Sequence, residues 1–383
     1  MLGSGAFMVV TGYSEMQQSH DMAAPFIQEG NFWYLTGIEA PDWWLIIEGS
    51  GKSFAVAPEI DDVKQTFDGS LDPMRAKAIS GVDRVISRGE AQGIIRASSR
   101  GHSIAYTVDQ PKYIREHAGF HLNPAQHELR QLLERTYPSV KDCSRELATL
   151  RTIKQPEEIK LITHAIKITT DAFKTMKAEL SQYKHEYEAE AKLTHEIRRV
   201  GASGHAYAPI VAGGAHACTL HYVANDALLT KKSLLLFDVG AKYGGYAADI
   251  SRTYAAGMPT KRALEVHDAV REAQAAIISL MKPGLGFVEY QKHVDDIMGQ
   301  ALTKLSLDPE KLHDYMPHAI GHGLGIDVHD TLAGYDSLQP GMVLTVEPGI
   351  YLPEEGIGVR IEDDILITEN GHKNLSGSLE TSY

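Results

Sequence analysis

The spacing of apolar residues along the chain changes near residue 150. Before this point, short runs rich in β-branched and aromatic residues alternate with stretches typical of helices. The clearest runs cover residues 44–47, 54–57 and 104–108. Strands of this kind, separated by helical stretches, are typical of α/β folds. The pattern therefore predicts a compact α/β domain over residues 1–150.

After residue 150, the apolar residues recur at the spacing of helices. Pro156, followed by Glu157 and Glu158, is typical of a helix start, because proline suits the first turn and acidic side chains favour the positive end of the helix dipole. From there, apolar residues spaced three and four apart run to Leu180, with one gap at Thr169. This stripe predicts a long helix with one face in a core.

Two more helices are predicted further along the chain. One covers roughly residues 262–281 and ends before Pro283 and Gly284. The next helix has an apolar face made of Tyr290, Val294, Ile297, Ala301 and Leu305. Together with the strands between them, these helices predict a second domain over residues 151–383, and the chain as a whole is of the α/β (α+β) class.

Four acidic residues of the second domain fall in two pairs. Asp238 and Asp249 bracket one stretch rich in turn residues, and Glu347 and Glu362 bracket another. If the midpoint of each pair is the turn of a hairpin, each pair faces across two antiparallel strands with Cβ atoms roughly 5 Å apart. Like charges at that distance repel each other unless a cation lies between them.

The residues beside these carboxylates leave two interpretations. The first is an acidic solvent face on two ordinary hairpins. The second is a buried site, and the apolar runs at 234–237 and 365–367 favour it because they are typical of buried strands. Buried carboxylates without partners are costly, and they usually coordinate metal or shift their pKa.

A histidine-rich segment completes the candidate site. His318, His322 and His329 are interleaved with glycines, which allow close backbone approach, whereas His216 and His313 are assigned no function. Four carboxylates and the imidazole of His322 form an oxygen-rich donor set, which suits two hard divalent ions better than a structural zinc. The donor set predicts a dinuclear metal centre that suits Mn²⁺, Co²⁺ or Fe²⁺. For the ions themselves, Mn²⁺ is the first choice, with Co²⁺ or Zn²⁺ as alternatives.

Composition narrows the class of protein. Of 383 residues, 43% are hydrophobic and 23% charged, as in globular proteins, and the formal net charge is −13. That charge argues against nucleic acid or an anionic membrane as the main partner.

No apolar stretch is long enough to span a bilayer, and residues 1–7 do not resemble an export signal. Two cysteines, Cys143 and Cys218, cannot form a disulfide framework. We therefore expect a cytoplasmic protein.

Six segments carry a family resemblance, in order along the chain. They are residues 220–222, 237–240, 245–253, 318–329, 346–351 and 358–363. Together they resemble the pita-bread metallopeptidase family, and most closely its Xaa-Pro aminopeptidase and prolidase branch. Residues 25–28 and 31–37 resemble the accessory domain of the same branch. The resemblance implies a creatinase- and prolidase-like α/β domain at the amino terminus, followed by a pita-bread catalytic domain.

The resemblance also implies a set of metal ligands. Asp238 would bind one ion with both carboxylate oxygens, and Asp249 and Glu362 would bridge the two ions. His322 and Glu347 would complete the second ion. All five positions match the family, which favours an active enzyme over the relatives that have lost these ligands.

Further roles follow from the same resemblance. Glu347 would carry a proton from the attacking water towards the leaving nitrogen. His221 and His329 would hydrogen-bond the substrate and the tetrahedral intermediate. His318 and Arg360 would line the site and contact the substrate.

Three functions are open at this point. An Xaa-Pro aminopeptidase hydrolyses the bond between an amino-terminal residue and a following proline in longer peptides. A prolidase cleaves Xaa-Pro dipeptides only. A pita-bread module that binds peptides without catalysis is the third, and the intact ligands argue against it. The aminopeptidase is favoured because residues 318–329 resemble that branch slightly more closely, and the family layout implies a homo-oligomer, at least a dimer.

Overall fold

The computed structural model describes residues 6–111 and 119–383. Contacts within the chain divide it into two units, Met1–Ala148 and Thr149–Tyr383. Residues 1–5, which carry part of the expectation about an export signal, lie outside the described residues. Within the described ranges, no helix has both the length and the apolar character that a bilayer crossing requires.

The first unit is built around a mixed six-stranded sheet. From one edge to the other, its strands are Arg84–Ile86, Ser53–Val56, Trp44–Glu48, Phe7–Thr11, Ile104–Thr107 and Ser139–Asp142. The second to fourth of these strands pair antiparallel, and the remaining pairs are parallel. A separate ribbon joins Gln17–Ser19 and Met22–Ala23. The strands that the apolar runs predict in this part of the chain are confirmed.

The first unit also contains helices, two of which, Arg88–Ser98 and Ala125–Glu134, share the core of the sheet. Among the described residues of the first unit they are Gly30–Thr36, Asp62–Phe67, Pro73–Ser80, Arg88–Ser98 and Ala125–Glu134. A further helix, Ser144–Thr152, spans the boundary between the units. Val9 and Ile46 of the sheet pack with Ile95 and Leu129 of the helices, and all four side chains are almost fully buried.

The second unit contains the long helices that the apolar spacing predicts. Its helices are Pro156–Glu179, Glu186–Arg199, Lys261–Leu280, Phe287–Lys304 and Leu312–Tyr315, with short 3₁₀ segments at Leu180–Gln182, Gly214–Cys218, Pro309–Lys311 and Pro353–Glu355. The gap in the first stripe, Thr169, is fully buried. Its hydroxyl donates to the carbonyl of Ala165 at 2.9 Å and accepts the N–H of Ala241 at 3.0 Å. A polar residue therefore attaches this helix to the first acidic hairpin.

The strands of the second unit form small antiparallel sheets. The first joins Ile210–Gly213, Leu234–Val239 and Ile250–Ala255; the second Gly204–His205, Ala241–Tyr243 and Tyr246–Ala247; the third Val343–Val346, Asp363–Thr368 and Gly371–Asn374; the fourth Gly349–Leu352 and Ile357–Arg360. Two long helices, Lys261–Leu280 and Phe287–Lys304, pack on each other and share one large apolar core with the first, third and fourth of these sheets. The carboxylate-bearing hairpins are thus backed by rigid structure.

His267 is a polar residue inside this core. Its side chain is fully buried, and Nε2–H donates to the carbonyl of Thr253 at 3.0 Å. Nδ1 has no hydrogen-bond partner within the part of the chain that the structure describes. Burial lowers the pKa of His267 to about 4, because a charged ring would lose its hydration.

We expect His267→Gln to flatten the pH dependence of stability in the acid range. Between pH 6.5 and about 4, the unfolded chain binds a proton on His267 that the folded chain resists. The contribution of the neutral ring is therefore intact above pH 6.5 and is lost as pH falls towards 4, by at most about 3 kcal/mol. Thermal midpoints of both metal-free proteins across this window measure the difference. Parallel curves would contradict the assignment.

Candidate metal centre

In the first acidic hairpin, the two carboxylates are diagonal neighbours. Asp238 lies opposite Ser251, and not opposite Asp249 as the midpoint of the pair predicts. The same register, continued along the hairpin, places Asp249 opposite Gly240. The prediction of a directly opposed pair is therefore wrong by two residues, although both carboxylates lie on one face of the hairpin.

A two-residue turn explains this register. Gly244 and Gly245 have φ of 56° and 84°, and they connect Tyr243 to its partner Tyr246. Left-handed backbone at both central positions is the geometry of a tight hairpin turn and favours glycine. The turn is thus centred one residue later than the acidic pair suggests.

Gly240 leaves room beside the two aspartates. A Cβ atom at this position would lie 1.8 Å from the carbonyl oxygen of Ala248 and 3.0 Å from the ring of Tyr207. The Tyr207 hydroxyl lies 2.5 Å from Asp238 Oδ1 and 2.6 Å from Asp249 Oδ1. One hydroxyl has one proton and donates to only one of these oxygens at a time, so the crowded oxygen atoms favour a cation nearby.

The second acidic hairpin has the predicted register. Gly349 pairs with Arg360, so Glu347 and Glu362 lie across from each other just beyond the last paired residues. The chain then passes beside the first hairpin, where the N–H of Glu362 donates to the carbonyl of Ser251 at 3.0 Å. This contact brings the carboxylates of the two hairpins together.

The histidine segment lies along the strand that leads to Glu347. The N–H of Glu347 donates to the carbonyl of Ile320, and that of Thr345 donates to the carbonyl of His322, both at 2.9 Å. Gly321 permits this approach, because a Cβ atom there would lie 2.1 Å from the carbonyl oxygen of Thr345. The predicted role of glycine, close backbone approach, is confirmed at this position.

Asp249, His322 and Glu362 form a group that fits a metal ion. Their ligand atoms all lie within 4.8 Å of one another. His322 Nε2 is also 3.4 Å from Asp249 Oδ2 and 3.4 Å from Glu347 Oε1. The other ring nitrogen, Nδ1, lies 3.0 Å from the carbonyl oxygen of Gly323, which only accepts hydrogen bonds. In the neutral ring, Nδ1 therefore carries the proton and Nε2 presents its lone pair to the carboxylates, as a metal-binding histidine does.

Burial makes these carboxylates costly as anions. It is the largest cause that raises the pKa of Asp249 and holds the pKa of Glu362 well above its ordinary value, and it raises the pKa of Glu347 to about 7. Burial opposes charge on His322 as well, but hydrogen bonding and attraction to the neighbouring acids raise its pKa to about 9. With all four carboxylates ionised, as metal ligands are, one imidazolium and the guanidinium of Arg360 still leave the cluster negative. The donor set therefore fits divalent cations.

Arg360 supports the ligands as well as lining the site. Its Nη2 lies 2.6 Å from Asp238 Oδ2, and its Nε and Nη1 donate to Ser251 Oγ and Tyr351 OH, both at 2.9 Å. Ser251 in turn donates to Glu362 Oε2 at 2.7 Å. Because Arg360 is only 4% exposed and bonds protein groups through three nitrogens, its predicted contact with the substrate stays a prediction.

One cavity of about 640 Å³ brings all the sequence-predicted site residues together. It is lined by Asp238, Asp249, His322, Glu347, Glu362, His221, His318, His329 and Arg360. Apolar side chains, among them Leu220 and Val223, form part of its wall. The arrangement offers a charged metal-binding floor and an apolar wall for an organic ligand.

Three further histidines line the cavity around the metal-binding group. They differ in whether their ring nitrogens are available to a molecule bound in the cavity. His221 and His329 are exposed in the cavity. Both ring nitrogens of His318 are engaged within the protein, Nδ1 with the carbonyl of Ala319 at 2.8 Å and Nε2 with Tyr351 OH at 3.0 Å. Burial lowers the pKa of His329, and it lowers the pKa of His318 to about 4, so both rings are neutral near pH 7.

A buried ion cluster fixes the loop between His322 and His329. The carboxylate of Asp330 lies 2.8 Å from Arg151 Nη2 and 3.3 Å from Lys154 Nζ. The N–H of Asp330 donates at 2.8 Å to the carbonyl of Gly323, the same oxygen that His322 Nδ1 contacts. The cluster therefore helps to set the orientation of the His322 ring.

Tyr207 is one of two candidate functional residues in this centre that sequence reasoning missed. It lies in an irregular segment before strand Ile210–Gly213, where no spacing distinguishes it from the other tyrosines. Thr345 was also missed, although a signal existed. It stands two residues before Glu347, and its hydroxyl lies 3.1 Å from Glu347 Oε1. Strand alternation places both side chains on one face.

Comparison with known families finds a match for both parts of the chain. The model of metallopeptidase family M24 matches residues 160–369. The model of the aminopeptidase P N-terminal domain matches residues 1–106. The match to the first of these covers more than half of the chain, including every predicted metal ligand.

Individual relatives extend this likeness over the full length. The Xaa-Pro aminopeptidase of Escherichia coli (strain K12) is 33% identical over 405 residues, covering 98% of this chain and 91% of that protein. The structure of aminopeptidase P from E. coli with the inhibitor Pro-Leu has a TM-score of 0.84 at 30% identity, covering 100% of this chain and 92% of that one. An Xaa-Pro dipeptidase of Pyrococcus furiosus is 37% identical, but over 59% of this chain and 64% of its own.

Proposed function

This chain belongs to metallopeptidase family M24, and we propose that it is an Xaa-Pro aminopeptidase, which hydrolyses the peptide bond between an amino-terminal residue and a following proline. The observation that carries the proposal is the convergence of the five predicted metal ligands on one cavity that also holds His221 and His329. Likeness to an Xaa-Pro aminopeptidase over nearly the whole chain supports this activity over that of a dipeptidase.

Membership of the family implies divalent metal ions, and the donor set of the centre fits them. We assign two ions to the ligands Asp238, Asp249, His322, Glu347 and Glu362, and we propose Mn²⁺, with Co²⁺ or Zn²⁺ as alternatives, because oxygen donors predominate. When bound, the ions would polarise the substrate carbonyl and make a water molecule acidic enough to act as nucleophile near neutral pH.

We assign Glu347 as the group that moves the proton. It takes a proton from the attacking water and returns it to the proline nitrogen, which leaves as a secondary amine. A carboxyl group does both best when its pKa lies near the working pH, and in the metal-free site burial raises the pKa of Glu347 to about 7. The Thr345 hydroxyl, 3.1 Å from Oε1, holds the carboxylate in position.

We assign His221 and His329 to substrate binding. Both rings are exposed in the cavity, where their N–H groups can donate to the substrate carbonyl. Since burial lowers the pKa of His329, its ring is a neutral donor near pH 7. Such donors stabilise the oxyanion as charge develops on the carbonyl oxygen.

Two peptides and one metal ion test the proposal. Chelator-treated protein, with and without added Mn²⁺, is given an Xaa-Pro dipeptide and a longer Xaa-Pro-Xaa peptide, with an Xaa-Ala-Xaa peptide of equal length as control. We expect metal-dependent cleavage of the longer proline peptide before the proline, and none of the control. Cleavage of the dipeptide alone would replace the proposal with a prolidase. No cleavage of any peptide in the presence of metal would overturn the substrate class.

Two further expectations stay predictions. A homo-oligomer, at least a dimer, is tested by light scattering at micromolar protein concentration, where a monomer would contradict it. A cytoplasmic location is tested by fractionation of the source cells.

A further inference from the structure

A buried carboxylate lies behind the loop that carries His221. Glu186 is the first residue of helix Glu186–Arg199, and its side chain is fully buried. The loop leaves strand Ile210–Gly213 and contributes Leu220, His221 and Val223 to the wall of the cavity. From Thr219 to Val223, the last residue that this loop contributes to the wall, the chain forms no regular helix or strand. The conformation of the loop therefore depends on side-chain contacts.

Glu186 contacts this loop at three separate places. Its Oε1 accepts the N–H of Gly213 at 2.8 Å, where the loop begins. Its Oε2 accepts the hydroxyl of Tyr222 at 2.9 Å and the N–H of Ala227 at 3.0 Å. The backbone N–H of Glu186 completes the contact by donating to the carbonyl of Ala227 at 3.0 Å. One carboxylate thus holds both ends of the loop and the residue next to His221.

Two neighbours strengthen this arrangement. His216, which sequence reasoning left without a function, stacks on the ring of Tyr222 with centroids 4.5 Å apart, and its Nδ1 is 3.5 Å from Glu186 Oε1. Asn225 is buried with φ of 47°, and its side chain accepts the N–H of Val211 at 2.9 Å. A left-handed asparagine whose side chain is fully used marks a loop held in one conformation.

We propose that Glu186 is a positioning residue, which fixes His221 at the wall of the active-site cavity by holding the loop at Gly213, Tyr222 and Ala227. The inference rests on the proposed function, since it takes His221 to bind the substrate. The donors that converge on Glu186 all require an acceptor. An amide in its place turns one acceptor oxygen into an N–H₂ donor, which must face a donor of the loop.

The test is a double-mutant cycle between Glu186→Gln and His221→Ala, measured on an Xaa-Pro-Xaa peptide at saturating Mn²⁺. In the wild-type background, Glu186→Gln is expected to lower kcat at least about tenfold with bound metal unchanged. In the His221→Ala background, it is expected to lower kcat less than about twofold, because the residue through which it acts is gone. Glu196→Gln is the matched control, a buried glutamate on the same helix that pairs with Lys192 and Arg199 and touches no part of the loop.

Equal losses in both backgrounds would overturn the inference, because Glu186 would then act through stability or metal binding. An unaffected His221→Ala variant would also overturn it, because His221 would have no role to support. If Glu186→Gln does not fold, Tyr222→Phe removes one contact and is expected to give a smaller loss with the same dependence on His221.

A second readout does not depend on peptide hydrolysis. The rate at which diethyl pyrocarbonate modifies His221, followed by mass spectrometry, is expected to change several-fold in Glu186→Gln and to stay unchanged in Glu196→Gln. An unchanged rate in both variants would overturn the positioning role. A wild-type protein without activity would instead overturn the proposed function and leave this readout in place.

Discussion

Replacement of Glu347 by glutamine is expected to lower kcat for an Xaa-Pro-Xaa peptide by at least about a hundredfold, since general acid–base catalysis alone is worth roughly 10²–10⁴-fold. Glutamine keeps the shape of the side chain and can still accept the hydroxyl of Thr345, which lies 3.1 Å from Oε1 in the native chain. It cannot take a proton from water or carry charge as a ligand. The fold is expected to stay intact, because the substitution removes a buried acid whose pKa is already raised by burial.

The measurement is steady-state hydrolysis at saturating Mn²⁺, with bound metal determined on the same samples. Glu354→Gln is the matched control, because Glu354 is an exposed acid in the turn of the same hairpin. Activity of Glu347→Gln within about tenfold of the wild type would exclude the assigned proton transfer. A loss of activity that merely follows a loss of metal would assign Glu347 to ligation alone.

Arg252→Met is expected to destabilise the second unit by about 3–5 kcal/mol, the usual cost of removing one partner of a buried ion pair. Arg252 is fully buried, and its Nη2 lies 2.7 Å from Asp363 Oδ1. The guanidinium also donates to the carbonyls of Ser251 and Glu362, at 2.9 and 2.5 Å. Methionine fills most of the space but leaves the buried carboxylate of Asp363 without its cation, with hydrogen bonds from Ser376 and Gln274 alone, and it removes a donor from both carbonyls.

Native-state hydrogen exchange of the amides in strand Ile250–Ala255 measures this loss within one unit of the protein. Arg271→Met is the matched control, because Arg271 forms a half-exposed ion pair with Asp268, and such pairs are worth about 0–1 kcal/mol. Equal protection in the Arg252→Met variant and the wild type would contradict the prediction. Because Arg252 also bonds the backbone of Glu362, weaker metal binding is expected in the same variant.

Much of the fold follows from apolar spacing. The helices that begin at Pro156, Lys261 and Phe287 each bury one apolar face. Because the residues of such a face recur every three to four positions, the sequence alone predicts these helices. The sequence also shows the gap at Thr169, but it does not show why a polar residue stands there. The hydroxyl of Thr169 accepts the N–H of Ala241, and a contact between residues so distant along the chain leaves no local pattern.

The candidate site also has features that the sequence predicts and features that it does not. The carboxylate pairs and the glycine-flanked histidines are local patterns, and the structure brings all of them to one cavity. The midpoint of the two acids predicts the wrong register for the first hairpin, although Gly244 and Gly245 carry the signal of a two-residue turn. Tyr207 and Glu186 act through contacts that only the folded chain creates, so no spacing could reveal them.

The strand register that places Glu347 across from Glu362 makes metal binding depend on correct pairing of the two strands. A slip of one residue between Gly349–Leu352 and Ile357–Arg360 would move one acid of the pair to the opposite face. An ion that needs both carboxylates therefore binds the native alignment and not the slipped ones. At a hundredfold excess over its dissociation constant, it favours the native alignment by about 2.7 kcal/mol. Metal would thus add a second selection for the native register to the one that the apolar packing of these buried strands already provides.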